Sequence, residues 1–358
     1  MAWNFAAGPA RLPDAVLAQA GALFRRADDG ACCIERPFSG PHFRTALANA
    51  RQRLAGLLDL PSNYRILFMA GGAMQQFSLL PMNLARAGQA VAYADSGYWS
   101  RRARQEAGWS GPVIEAARHP GASALAAPVA GKWALPANCA YCHITPNETA
   151  DGIAYPALPD TGAVPLVADC TSSLLLAPLA VDKFGLIYAS AQKNIGPAGL
   201  CVVIVREDLL ERSPAALPAV FSYRRQVEAG SCVNTPPMLA LEMAALVFEW
   251  IAGQGGLPAM AAANQAKAAL LYGAIDGSGG FYRAPVEVAH RSPVNVRFEL
   301  AVEALTERFI EQAAAAGLQH LRGHPQVGGL RASLYNAMPL AGVEALVDFM
   351  ADFARRHG

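Results

Sequence analysis

Short apolar runs rich in β-branched and aromatic residues alternate with amphipathic segments through the first two-thirds of the chain. This alternation restricts the fold more than any other feature. The runs are Arg65–Ala70, Ala90–Ala94, Cys139–Ile144, Val164–Ala168, Leu186–Ala189 and Cys201–Val205, and between them Phe43–Leu58 and Met74–Ala87 repeat their apolar residues at helical spacing. A strand that is apolar at nearly every position has both faces covered, and strands that alternate with helices pair in parallel. Several runs end at Gly, Asp, Ser or Thr, as strands do where they hand over to functional loops. The expectation is an α/β sheet with helices on both faces. Pro236–Gly253 reads as a long helix with Pro near its first turn and Gly after its end.

The pattern changes after Gly255-Gly256. From there the order is helix (Met260–Ile275), strand (Val294–Leu300), helix (Val302–Gly317), strand (Gly329–Tyr335) and helix (Leu340–Arg356). A smaller α+β domain over 257–358, behind a large domain over 16–256, is therefore expected. A chain of 358 residues has the length for both.

The apolar fraction of 53% against 16% charged residues supplies a sizeable core and excludes a disordered chain. With a net charge of +1 and no block of like charges, nucleic acid and anionic membranes are not expected partners. Met1–Asp14 lacks a basic region followed by an apolar run, so no signal peptide is expected. No stretch approaches the roughly 18 uncharged apolar residues of a membrane span, since Glu242 and Glu249 interrupt even Met238–Gly253. A cytoplasmic protein is expected. The seven cysteines, an odd and scattered set, fit small buried hydrophobes. Cys139-Ala-Tyr-Cys142-His143 matches the C-x-x-C-H signature of haem attachment, but without export or a second ligand pair the match is coincidental, and no metal is expected.

Three places carry chemistry. Lys193 sits just beyond an apolar run in the polar, glycine-containing turn Ser190–Gly199, where partial desolvation lowers a lysine's pKa and makes it a Schiff-base nucleophile. Asp169 follows the run Val164–Ala168, at the end of a strand that faces the ligand crevice of an α/β sheet. Gly71-Gly72 lies between a strand and the start of a helix, whose free N–H groups suit a phosphate. Taken singly, each also fits a solvated lysine, a turn cap or a plain turn.

Together with Asn4–Ala10, Ser96-Gly97-Tyr98-Trp99, Pro146-Asn147-Glu148-Thr149, Asn234-Thr235-Pro236-Pro237 and Val327–Asn336, these segments resemble the phosphoserine aminotransferase family. That family is class V and fold type I, and depends on pyridoxal 5'-phosphate. The matches run in family order from residue 4 to the C-terminus. The resemblance implies a large domain with a mostly parallel seven-stranded sheet covered by helices, a small C-terminal domain, and an N-terminal segment, 1–15, near the active site. It implies amino transfer between an amino acid and a 2-oxo acid, alternating between aldimine and pyridoxamine forms. Lys193 matches the Schiff-base lysine, which also moves the substrate proton. Asp169 matches the pyridinium partner, Trp99 the stacked ring, and Thr149 the partner of the phenolic oxygen. Ala73, Met74 and Gln192 match the phosphate site, which Asn234 and Thr235 complete from the other subunit of a homodimer. Arg331 matches the α-carboxylate arginine, and Ala7 and His324 also match substrate positions.

The chain departs from the family at the far end of the substrate. Aligning Gly40 and Phe43 places Phe38 and Ser39 where the family has a His-Arg pair, and Pro325 follows His324 where another arginine is expected. Loss of these cations predicts a less anionic substrate than phosphoserine, unless Arg36, Arg101, Arg224 or Arg225 compensates. A genuine phosphoserine aminotransferase, and a lyase or decarboxylase on the same fold, stay open at this point.

Overall fold

The computed structural model describes residues 2–119 and 124–358. Its central feature is a seven-stranded sheet. Across it the strands run Tyr64–Ala70, Leu200–Arg206, Leu186–Ser190, Leu166–Asp169, Cys142–Ile144, Val91–Asp95 and Val113–Arg118. Leu200–Arg206 runs antiparallel to both its neighbours, and the other adjacent pairs are parallel.

Successive side chains of a strand point to opposite faces, and the two cores follow that alternation. Ile66, Phe68, Ile187 and Ile204 face the helices Pro41–Leu57 and Met238–Gly253, packing with Phe43, Leu54, Leu241 and Phe248. Leu67, Tyr93, Tyr188 and Val203 face the other way, onto Phe77 and Leu80 of the helix Ala73–Leu84 and Ala103 and Ala107 of the helix Tyr98–Ala107.

A second, three-stranded antiparallel sheet (Tyr282–Arg283, Asn295–Leu300, Leu330–Ser333) packs with the helices Gly256–Asp276, Thr306–Ala315 and Leu340–His357 around Phe298, Phe309 and Phe353. The chain start joins this part: Trp3–Asn4 pairs in parallel with Leu318–Gln319, and Phe5 is buried in the same core. Among the described residues no single helix is long and apolar enough to cross a membrane, and Met238–Gly253 is bent by 82° from Gly256–Asp276.

Some elements differ from the sequence expectation. The Cys139–Ile144 run contributes a strand only over Cys142–Ile144, and the Val164–Ala168 run one over Leu166–Asp169, so that Asp169 is the strand's own last residue. The helix expected over Val302–Gly317 is Thr306–Ala315 behind a short 3-10 turn. Two elements had no apolar signal to announce them. Val113–Arg118 is an edge strand, half-buried up to the exposed Arg118, and Tyr98–Ala107 is rich in Arg, Gln and Glu. Cys139, Cys142 and His143 are plain core. The His143 ring stacks on Tyr93, its Nε2 shares a 2.9 Å hydrogen bond with the Tyr188 hydroxyl, and burial pushes its pKa down to about 3. Among the described residues no cluster of three or more His, Cys, Asp or Glu is placed to hold a metal ion.

Candidate active site

The C-terminal ends of the parallel strands converge on a cavity of about 300 Å³. Gly72, Ala73, Met74, Trp99, Thr149, Asp169, Gln192 and Lys193 line it, together with Thr145, Asn147, Thr171, Ser172 and Ser190. Of the residues singled out from sequence, these first eight therefore meet here.

Lys193 is half-buried in the turn after Leu186–Ser190, and its Nζ donates to Thr149 Oγ1. Desolvation, assisted by the Arg331 charge, lowers its pKa to about 8 against the opposing pull of Asp169 and Glu148. The chain has only four lysines. Lys132 and Lys183 are exposed, and Lys267 is buried with its ammonium on the carbonyls of Leu334, Tyr335 and Met338. Among the described residues Lys193 is thus the one amine in the cavity.

Asp169 is buried at its strand's end, and its Oδ1 accepts the Thr171 N–H at 2.9 Å. Burial raises its pKa, while the bonds from Thr171 and the charge of Lys193 hold it down. At the opposite wall, the helix Ala73–Leu84 starts after Gly72 without a side-chain cap. Gly71 has φ +120°, a backbone conformation that residues with a side chain rarely adopt, which favours glycine at this entry. The N–H groups of Ala73 and Met74 at the helix start have no intrahelical acceptor, which suits this wall to an anion. Gln192, beside it, accepts a hydrogen bond from Ser190 Oγ through Oε1.

Arg331 approaches from the smaller sheet, and its Nη1 donates to the Thr149 carbonyl at 3.1 Å. Thr149 therefore touches Lys193 with its side chain and Arg331 with its backbone. Three donors or hydroxyls at the site, Trp99 Nε1, Thr145 Oγ1 and Arg331 Nε, are buried without a hydrogen-bond partner among the described residues. A cofactor with a phosphate, an aromatic ring and a ring nitrogen fits this set of groups: an anion wall, an indole, a carboxylate and an amine around one space.

His324 packs on Tyr98 at 4.3 Å and Trp99 at 6.0 Å, and Ala7 accepts the Tyr335 hydroxyl through its carbonyl at 3.0 Å. Phe38, Ser39, Asn234 and Thr235 do not line the cavity. Phe38 is half-buried against the core beside the helix Pro41–Leu57, whereas Ser39, Asn234 and Thr235 are exposed. The candidate replacement arginines are mostly engaged: Arg36 with Asp29 (3.0 Å), Arg101 with Asp95 (3.1 Å) and Arg225 with Glu228 (3.9 Å), while the half-buried Arg224 has no partner for Nε among the described residues. The roles of Thr145, Asn147, Glu148, Thr171 and Ser172 were not assigned from sequence. Asn147 and Glu148 belong to the segment Pro146-Asn147-Glu148-Thr149, but which way each points depends on the fold.

Comparison with known proteins identifies the family. The family described as Aminotransferase class-V matches residues 2–346. A phosphoserine aminotransferase of Stenotrophomonas maltophilia (strain K279a) is 49% identical over 358 residues, covering 100% of this chain and 99% of the relative. One from Acidithiobacillus ferrooxidans (strain ATCC 53993 / BNL-5-31) is 47% identical over 357 residues, with 99% of each covered. Among solved structures, the phosphoserine aminotransferase from Bacillus circulans subsp. alkalophilus superposes with a TM-score of 0.96 at 43% identity, covering 100% of this chain and 99% of its own. The PLP-bound enzyme from Trichomonas vaginalis superposes with a TM-score of 0.91 at 37% identity, covering 98% and 100%. With a family model over nearly its whole length and relatives of the same fold at up to 49% identity, the chain belongs to the class V aminotransferases.

Proposed function

We propose that this aminotransferase holds pyridoxal 5'-phosphate in the cavity and moves an amino group between an amino acid and a 2-oxo acid whose side chain is less anionic than phosphoserine. The observation that carries the reading is the meeting of Lys193, Asp169 and the start of the helix Ala73–Leu84 around one space. When bound, the cofactor supplies an aldehyde for covalent attachment and a ring that accepts electrons. The protein does the rest. Lys193 Nζ is the attaching amine and afterwards carries the substrate proton. The N–H groups of Ala73 and Met74, with Gln192, hold the phosphate. Asp169 keeps the ring nitrogen protonated, Trp99 covers the ring face, and Thr149 Oγ1 takes the phenolic oxygen. Arg331 pairs with the substrate α-carboxylate, the geometry a guanidinium suits best; His324 packs beside Trp99, whereas Ala7, Phe38 and Ser39, which do not line this chain's own cavity, are substrate positions on the family resemblance alone.

The same reading makes the working unit a homodimer. Support comes from Asn234 and Thr235, which are exposed away from this chain's own cavity, and from Leu17, Phe24 and Ile34, apolar side chains about half exposed. In the dimer, Asn234 and Thr235 serve the partner's phosphate site.

The second reading, phosphoserine itself as substrate, is favoured by the names of the relatives. A donor screen on the purified enzyme separates the two. Each amino acid is added alone, and conversion of the cofactor from its aldehyde to its amine form is followed by absorbance. Apolar or singly charged donors are expected to convert it at lower concentration than phosphoserine. The reverse order supports the second reading.

The lowered pKa of Lys193 gives a pH prediction. The neutral amine is the attacking form, and it is depleted below a pKa of about 8. The rate at which cofactor-free protein captures the cofactor is therefore expected to rise with pH, about tenfold per unit on the acid side, and to level off above about 8. A flat profile between pH 6 and 9 would contradict the assignment of the attacking group.

A further inference from the structure

The ten-residue helix Tyr98–Ala107 carries Trp99 in its first turn, and the residue before it, Gly97, has no side chain with which to cap it. The free N–H groups of a helix start need acceptors. Here they come from a segment about fifty residues away. Asp151 Oδ2 accepts the Tyr98 N–H at 2.7 Å, Glu148 Oε2 the Trp99 N–H at 2.9 Å, and Glu148 Oε1 the Ser100 N–H at 2.8 Å. Glu148 Oε1 also accepts Ser96 Oγ at 3.2 Å. Gly97 makes the approach possible: a Cβ there would lie 2.6 Å from Asp151 Oδ2 and 2.8 Å from Glu148 Cδ. Two carboxylates at the positive end of a helix are favourably placed, although both are buried and stand close enough that burial and then Asp151 raise the Glu148 pKa.

The residue between them in sequence faces the chemistry. Thr149 holds Lys193 through Oγ1 and Arg331 through its carbonyl. One short segment therefore sets the attaching amine, the carboxylate-binding arginine and the backbone of the ring that covers the cofactor. A cap drawn from the local sequence would stabilise the helix equally well without tying Trp99 to Thr149.

We propose that Glu148 is a positioning residue for cofactor binding, fixing the Trp99 indole over the cavity through its hydrogen bond to the Trp99 backbone. This rests on the reading of Trp99 as the ring that covers the cofactor. Glu148→Gln keeps the shape and one acceptor for Ser100 but sets an NH2 group against the Trp99 N–H. Loss of one charge-assisted bond predicts a Kd for pyridoxal 5'-phosphate about tenfold higher in the cofactor-free protein. At saturating cofactor, the circular dichroism of the bound chromophore should weaken, because it reports how the ring is held.

The decisive comparison is a double-mutant cycle with Trp99→Ala. If Glu148 acts through the ring, Glu148→Gln changes the Kd less than about twofold in the Trp99→Ala background. A general loss of stability would instead give the same factor in both backgrounds, and that additivity overturns the proposal. Weakened binding by Trp99→Ala beside an unchanged Glu148→Gln also overturns it while leaving the cofactor reading intact. An unchanged Kd for Trp99→Ala overturns the reading of the ring and the proposal with it. Should Glu148→Gln fail to fold, Glu148→Asp carries the same cycle, since it keeps the charge and withdraws it by one methylene. Coupling to Trp99 is again expected, and additivity again decides against it.

Discussion

Lys193→Ala is expected to bind pyridoxal 5'-phosphate without covalent attachment and to lose turnover by about ten-thousandfold or more, the combined size of a missing nucleophile and a missing proton carrier. The fold should survive. Lys193 makes one side-chain hydrogen bond, to Thr149 Oγ1, and the helix start at Ala73, the Asp169 carboxylate and the Trp99 ring all remain to hold the cofactor. Borohydride followed by peptide mapping checks it: the wild type should carry the cofactor fixed on the peptide containing Lys193, and the variant should release all of it. The scarcity of lysine sharpens the test. Lys132 and Lys183 are exposed and Lys267 is held by three carbonyls, so among the described residues no second lysine is placed to take over. Cofactor still fixed to the variant would mean that Lys193 is not the attaching residue.

The next largest effect concerns the substrate side chain. For phosphoserine, the wild type is expected to show a KM hundreds-fold or so higher than for its best apolar or singly charged donor, with kcat much less affected, because each missing charge-assisted bond to the phosphate contributes about 1.5–3 kcal/mol. The cavity's exposed lining includes the Met74 side chain, 49% accessible, and Arg36 and Arg101 stand in ion pairs elsewhere. The substitutions that restore a cation can be chosen from the structure. Phe38→His removes a ring packed against the core, so its effect would mix stability with binding. Met74→Arg and Ser39→Arg add charge at an accessible lining residue and an exposed residue, at little packing cost. Met74→Arg, alone or with Ser39→Arg, should lower the KM for phosphoserine about tenfold or more and leave an apolar donor unimproved. Efficient phosphoserine turnover by the wild type, unmoved by the added arginines, would show that other groups bind the phosphate and that the relatives' substrate is this enzyme's own.

Much of the fold is legible in the sequence because it depends on local pattern. A strand buried on both faces must be apolar at nearly every position, and the runs at Leu186–Ala189 and Cys201–Val205 announce themselves for that reason. The edge strand Val113–Arg118 does not: with Glu115 half-buried and Arg118 exposed, its residues satisfy solvent as well as the sheet. The helix Tyr98–Ala107 is equally quiet, since it needs little more than Ala103 and Ala107 to pack and takes its cap from distant residues.

The site divides along the same line. Lys193, Asp169 and Gly71-Gly72 can be named from the sequence because each follows an apolar run, although singly each also fits a solvated lysine, a turn cap or a plain turn, and only the motifs of the family resemblance set them apart. Their meeting is another matter. Lys193 reaches Thr149 across 44 positions and Arg331 reaches the same residue across 182. Glu148 and Asp151 could be named from the sequence, but not as the acceptors of a helix start that lies about fifty residues earlier. By itself the sequence determined which segments are buried and which side chains are reactive, because hydrophobic period and residue chemistry are local properties. Which of those side chains share a cavity, and which carboxylates hold the helix behind Trp99, was decided by the tertiary structure alone, because approach between distant segments is set by how the sheet and its helices pack.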